Sequence, residues 1–146
     1  MMRFVLVLIF LFPLSIAAQS NAYNEASAVG AVRTILTAEA TYATSYPRLG
    51  YTCELSRLGE SSDARNAYHA GLLGVELASG VRNGYRFVLR NCNGRGQTLH
   101  FYSVVAYPLK PGRSGARVFC SDQRGIIRYA NGGSAEACNE SSTPLR

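Results

Sequence analysis

Glu39 is the polar residue whose position most suggests chemistry, because it stands inside an apolar pattern. On a helical wheel of residues 21–46 it projects between Val32 and Ala43. An unpaired carboxylate buried there would be strongly destabilising, so the side chain needs a partner or a raised pKa. A catalytic acid is one interpretation, and a structural link between the helix and the rest of the domain is the stronger one. We expect an arginine such as Arg128, or backbone N–H groups, to hold it.

Other arrangements of catalytic residues are not found in the sequence. The nucleophile motif G-x-S-x-G does not occur, and the histidines His69 and His100 stand alone. The 9 acidic residues are scattered, and the glycines punctuate turns without forming a phosphate-binding loop. We therefore predict a non-enzymatic protein that uses no cofactor.

The four cysteines are Cys53, Cys92, Cys120 and Cys138. An even number of cysteines in an exported chain indicates two disulfides, and three pairings are possible. The sequence has no C-x-x-C spacing, and the histidines are not spaced as ligands, so we expect no metal site.

The nine tyrosines are the best sequence argument for binding. A tyrosine on a strand offers a flat apolar ring with a polar tip, which suits contact with protein or carbohydrate. A place at the edge of the core is the more frequent role. Four of them fall on predicted strands: Tyr85, Tyr102, Tyr107 and Tyr129.

A long amphipathic helix over residues 21–46 must position Glu39. Its apolar arc is roughly 140° wide, as expected of a helix that lies on a core. Asn21 or Asn24 can cap its start, and Pro47 predicts its end. The arc contains Glu25, Ala28, Val29, Val32, Ile35, Leu36, Glu39, Tyr42, Ala43 and Tyr46.

Downstream, the apolar period changes from 3.6 to 2 residues, which indicates an antiparallel meander of about four strands. The predicted strands span residues 85–90, 99–107, 117–121 and 126–130. A tight turn with Gly125 in the left-handed conformation joins the last two. A short helix is predicted over residues 62–73. The fold class is α+β, with the helix and the sheet covering each other.

Residues 1–18 have the pattern of a signal peptide, with Arg3, an apolar run and the small residues SIAA. We expect cleavage after Ala17 or Ala18, which leaves residues 19–146 as one domain. The protein would then be periplasmic, at the cell surface or secreted, and on a membrane only if this segment is retained.

The formal net charge is +6, with Lys110 as the only lysine. The arginines are scattered and are not interleaved with aromatic residues, as they would be on a nucleic-acid surface. We expect no nucleic-acid partner.

Two separated stretches resemble the globular region of type IV pilins and type II secretion pseudopilins. The first contains NEASAVGAVRTILTAEATY, SYP and GYTCELSRLG; the second contains GYRFVL and FYSVVAYPLKPGRSGARVFCSDQRGIIRY. The resemblance covers nearly all of residues 24–130 and implies a pilin-like fold. It also implies protein partners in the envelope, the pilus or the secretion machinery. Pilins open on Gly-Phe-Thr-Leu-Ile-Glu and a membrane helix, whereas this chain has MMRFVLVLIFLFPLSIAAQS, so filament assembly is not implied.

The resemblance also favours one disulfide pairing. A Cys120–Cys138 bridge would close a loop around the last strand, as the C-terminal disulfide of pilins does, and would leave Cys53 for Cys92. The pairing of Cys53 with Cys120 and of Cys92 with Cys138 stays open. The function expected is that of an exported, non-enzymatic, pilin-like structural or accessory component. The alternative is a soluble binding module unrelated to filaments.

Overall fold

The computed structural model describes residues 14–62 and 64–146, so most of the predicted signal peptide lies outside the described residues. The helices are α1 (Leu14–Ser45) and α2 (Val75–Ala78), with 3-10 turns at Leu55–Leu58 and Ala135–Ala137. The strands are β1 (Val81–Arg82), β2 (Tyr85–Arg95), β3 (Thr98–Pro108), β4 (Arg117–Asp122), β5 (Arg128–Asn131) and β6 (Thr143–Pro144).

Helix α1 confirms the predicted amphipathic pattern. The residues of its apolar arc are buried or half-buried, with Val32 and Ile35 fully enclosed, whereas Arg33, Thr34 and Thr37 on the opposite side are exposed. The helix ends at Ser45, just before Pro47. Since a proline disfavours the helical conformation of the residue before it, the end is set by local sequence.

The predicted capping role of Asn21 and Asn24 is wrong, because the helix already begins at Leu14. Both residues lie within the span of the helix, and their side chains donate to carbonyl groups of a loop. Asn21 Nδ2 donates to Gly112 O and Asn24 Nδ2 donates to Ser114 O, each at 3.1 Å. They fasten the helix to the loop between β3 and β4.

The sheet is an antiparallel meander in the order β1-β2-β3-β4-β5-β6. It has six strands rather than about four, because the two-residue strands β1 and β6 are added at its edges. Strands this short carry no readable alternation of apolar and polar residues. The strands predicted to span 85–90 and 99–107 are longer, with a bulged register between Arg90 and Gly94, so the hairpin turn falls at Gly96 and Gln97.

Each face of the sheet has its own cover. Helix α1 packs on the inner face, where Phe87, Val104 and Phe119 join the main core. The C-terminal tail covers part of the outer face, where Val105, Val118 and the Cys120–Cys138 bridge form a second, smaller core. The molecule is therefore layered as helix, sheet and tail.

The predicted helix over residues 62–73 is wrong. Asn66 and His69 exchange backbone hydrogen bonds across a turn, and Gly71 has a φ of 65°. The N–H groups of Ala70 and Leu72 donate to Arg57 O and Leu58 O instead of to helical partners. Pairing with the segment 57–59 thus replaces helix formation here.

The structure shows the disulfide pairing Cys53–Cys92 and Cys120–Cys138, with Cα–Cα distances of 5.9 and 5.8 Å. Two disulfides indicate an oxidising compartment, extracellular or periplasmic. Across residues 14–62 and 64–146, no helix has the length and apolar character that a bilayer span requires.

Glu25 is a second buried carboxylate on α1, and it anchors the helix to the start of β4. Its Oε1 accepts from the N–H groups of Ala116 (2.8 Å) and Arg117 (3.1 Å), and its Oε2 accepts from Arg117 Nε (2.8 Å). Burial alone would raise the pKa of Glu25, but these bonds outweigh it and lower the pKa. The ionised form is therefore the one that the fold stabilises.

We expect Glu25→Ala to lower the free energy of unfolding at pH 7 by about 2 kcal/mol, because three donors lose a charged acceptor. Since the folded-state pKa is lowered, the contribution of Glu25 is present at neutral pH and is lost as the pH falls through the acidic range. Urea unfolding at pH 7 measures the effect. Glu60→Ala, at an exposed glutamate, is the control; an equal loss in the two variants would contradict the anchoring role.

Candidate functional site

Glu39 is fully buried, as the sequence pattern predicted. Its Oε2 accepts a hydrogen bond from the backbone N–H of Thr52 at 2.9 Å, in the loop that follows α1. Its Oε1 is buried without a hydrogen-bond partner among the described residues. Burial raises the pKa of Glu39 to about 7 despite the bond from Thr52. Of the two kinds of partner expected, the backbone N–H group is the one found.

Arg128 is not the partner of Glu39, because the two lie on opposite sides of the sheet. Arg128 pairs in register with Cys120, which belongs to the outer core, whereas α1 packs on the inner face. Its Nη1 donates to Ser142 O at 3.0 Å. Of the two alternatives expected for Glu39, the pairing with Arg128 is therefore wrong.

Arg90 lies on the same outer face of the sheet as Arg128 and also donates to the C-terminal tail. It projects from β2 on the outer face, and its Nη2 donates to Cys138 O at 3.1 Å. Arg90 and Arg128 thus hold two points of the C-terminal tail. They belong to the same cleft.

This cleft, which we call the outer-face cleft, lies between the tail and the strands β2 to β5. Its volume is about 190 Å³. Phe101 and Ile126 contribute large apolar side chains that are 52% and 50% exposed. The lining residues are Arg90, Asn91, Phe101, Tyr102, Ser103, Val105, Cys120, Ser121, Asp122, Gln123, Ile126, Arg128, Cys138, Asn139 and Glu140.

The acidic residues at the cleft are already paired with Arg124. Arg124 Nε donates to Asp122 Oδ2 at 2.9 Å, and its Nη2 lies 3.3 Å from Glu140 Oε1. Burial opposes the ionisation of Asp122, but the bonds from Arg124 lower its pKa, with a smaller long-range effect from Arg128. Among the described residues, neither Arg90 nor Arg128 forms an ion pair within 4 Å.

The hydroxyl groups of the two serines at the cleft, Ser103 and Ser121, are engaged with the backbone. Ser103 Oγ donates to Arg90 O at 3.1 Å, and Ser121 Oγ donates to Ile126 O at 3.0 Å. The lining contains no histidine that could act as a base. The chemistry that this lining offers is recognition by charge, hydrogen bonds and apolar contact.

The remaining sequence candidates are dispersed. Tyr85 and Tyr102 are buried, and Tyr107 and Tyr129 are half-buried, so their rings belong to the core and its edge. His69 is exposed in the loop before α2, and His100 is exposed on β3. Within residues 14–62 and 64–146, no group of three or more histidine, cysteine or acidic side chains could hold a metal ion.

Sequence reasoning missed Arg90, Phe101 and Ile126 as possible binding residues. Side chains alternate between the two faces along β2, which places Arg90 on the face away from Phe87. Its orientation towards the outer face was therefore predictable from the sequence. The Cys120–Cys138 bridge was expected, but the face of the sheet that the tail covers could not be predicted from the sequence, and the cleft does not exist without the tail.

No family model, curated protein or solved structure matches the chain.

Proposed function

We propose that this protein is an exported, non-enzymatic, pilin-like domain that acts by binding another protein at its outer-face cleft. It would serve as a structural or accessory component of the cell envelope, a type IV pilus or a type II secretion apparatus. The cleft carries the binding part of this proposal. It combines two arginines that lack carboxylate partners in the described chain with two half-exposed apolar side chains.

The layout of the fold supports the pilin-like part of the proposal only in outline. One long helix on an antiparallel meander, stapled by two disulfides, is compatible with the globular region that the sequence resembles. Protein interfaces are enriched in aromatic residues and arginine, the residue types that the cleft exposes.

The second candidate is a soluble secreted or periplasmic binding module with no relation to filaments. It rests on residues 1–18, which have the pattern of a secretory signal. Both candidates bind protein, and they differ in the identity of the partner.

Site-specific photo-crosslinking in the native envelope tests the proposal. The photoreactive residue benzoylphenylalanine replaces Phe101 at the cleft or, as a control, Tyr68, which is 64% exposed and lies outside the cleft. We expect a defined protein adduct from position 101 and none of the same mass from position 68. Pilus or secretion subunits in the adduct would favour the first candidate, and other exported proteins the second. Adducts absent at position 101, or identical at both positions, would contradict binding at the cleft.

A further inference from the structure

We infer that the outer-face cleft recognises a protein segment in which an aspartate or glutamate stands beside a bulky apolar residue. This inference rests on the proposed function, because it names the chemistry of the partner that the cleft would bind. It draws on the charge, the apolar surface and the size of the cleft.

The charge of the cleft favours a carboxylate. Each guanidinium has five N–H donors, and the observed bonds occupy one nitrogen of Arg90 and one of Arg128. The Nε of Arg90 is buried without a hydrogen-bond partner among the described residues. A carboxylate bound through a small reorientation of this guanidinium would satisfy that donor, in the paired geometry that arginine favours.

Neighbouring acids do not cancel this preference. Asp122 and Glu140 share Arg124, which compensates only one of these two carboxylates, so the three side chains together keep one negative charge. Glu136 is the exposed residue of the 3-10 turn Ala135–Ala137 in the tail and lies outside the cleft lining. Its pKa is lowered chiefly by its own backbone N–H and by Ser134, and only slightly by Arg90. The two arginines Arg90 and Arg128 outweigh that one remaining negative charge, so the cleft still favours an anionic ligand.

The apolar surface favours a neighbouring bulky side chain. Phe101 and Ile126 are among the most exposed large apolar side chains of the described chain, and both line the same cleft as the arginines. A partner side chain that covers them removes apolar area from water at the centre of the contact. Interfaces concentrate their binding energy in such aromatic and arginine anchors.

The size of the cleft favours a protein segment over a free small molecule. Pockets for drug-sized ligands usually measure about 300–1,000 Å³, whereas this cleft measures about 190 Å³. It is large enough for one or two side chains from a partner whose remaining contacts lie on the surrounding surface.

NMR titration of the exported, ¹⁵N-labelled protein tests the inference with two blocked dipeptides, acetyl-Phe-Glu-amide and acetyl-Phe-Gln-amide. The two probes have nearly the same shape and differ in charge. We expect the glutamate peptide to shift the amide signals of residues 101–103, 128 and 138, and to bind about tenfold more tightly than the glutamine peptide. Its binding should weaken as the pH falls through about 4, where the peptide carboxylate is protonated.

Variants locate the contact. Arg90→Ala and Arg128→Ala should each weaken binding of the glutamate peptide by about tenfold. Arg86 is an exposed arginine on the outer face of β2, the strand that also contains Arg90, but it does not line the cleft. Arg86→Ala should therefore leave binding of the glutamate peptide unchanged. If Arg90→Ala loosens the tail and the variant no longer gives a dispersed NMR spectrum, the titration is made with Arg90→Lys and Arg128→Ala instead.

Three results would overturn the inference: equal binding of the two peptides, an equal loss of binding in Arg86→Ala, or tighter binding of 3-phenylpropionate than of the glutamate peptide. The last would identify the cleft as a site for small aromatic acids. If the photo-adducts from position 101 persist in Arg128→Ala, protein binding at the cleft is still supported. That result would contradict only the inference that an aspartate or glutamate of the partner binds the arginines.

Discussion

Glu39→Gln is expected to raise the free energy of unfolding by about 3 kcal/mol at pH 8 and to change it little at pH 5. The side chain is fully buried, and its pKa is raised to about 7 from an ordinary value of 4.5. Among the described residues, no arginine or lysine forms an ion pair with it. Above pH 7 the folded protein must therefore hold a poorly compensated buried charge.

The sign follows from proton binding. Between pH 4.5 and 7 the folded state retains the proton of Glu39, whereas the unfolded chain releases it. The wild-type protein therefore loses stability as the pH rises through this range, and the loss is complete above pH 7. Glutamine imitates the protonated carboxyl and can still accept the N–H of Thr52 through its side-chain oxygen.

Urea unfolding of both proteins at pH 5, 6, 7 and 8 measures the effect. The wild-type stability should fall across this series after allowance for the background seen in Glu39→Gln, and the variant should lack the step. Glu60→Gln, at an exposed glutamate, should differ from the wild type by less than about 0.5 kcal/mol at every pH. A parallel pH dependence in the wild type and Glu39→Gln would show that Glu39 ionises normally in the folded state.

Glu39→Ala separates the hydrogen bond from the charge. At pH 5 this variant should lose roughly 1–3 kcal/mol, because the N–H of Thr52 remains buried without its acceptor. Wild-type stability of Glu39→Ala at pH 5 would mean that the bond to Thr52 contributes nothing.

The parts of the fold that local patterns determine were predictable. The arc of α1, its end before Pro47 and the turn at Asp122–Gly125 all depend on residues within a few positions of one another. In that turn Gly125 N donates to Asp122 O at 2.9 Å, and Gly125 has a φ of 79°. The apolar periodicity and the residue preferences of tight turns predict such features directly.

The failures involve contacts between distant segments. Residues 62–73 have an acceptable helical composition, but the N–H of Leu72 pairs with Leu58 O instead. Tertiary pairing of this kind overrides a weak intrinsic propensity. Likewise, β6 exists because the chain returns to β5, with Tyr129 opposite Thr143.

The candidate site was the least predictable part for the same reason. Glu39 was recognisable from one helix alone, and the structure places it in the interior, away from the cleft. The cleft needs Arg90 from β2, Phe101 from β3, Arg128 from β5 and the tail near Cys138. Only the packed sheet and the Cys120–Cys138 bridge bring them together.

Removal of the Cys120–Cys138 bridge is expected to lower stability and also to abolish the outer-face cleft. The bridge closes a loop with a sequence separation of 18 residues, so Cys120→Ser with Cys138→Ser should cost about 3 kcal/mol. It should also free the tail, because Cys138 is fully buried at the centre of the outer core. Urea unfolding, limited proteolysis and titration with acetyl-Phe-Glu-amide measure the three consequences.

The Cys53–Cys92 bridge provides the control, since it lies outside the cleft lining and closes a longer loop. Cys53→Ser with Cys92→Ser should cost about 4 kcal/mol, by the same restriction of the unfolded chain. Under conditions in which both double variants are folded, proteolysis should cut within residues 132–146 only when the Cys120–Cys138 bridge is missing. Peptide binding should likewise be lost only in that variant. Equal binding by the two double variants would show that the tail is not a wall of the cleft, because removing its covalent anchor would then leave the site intact.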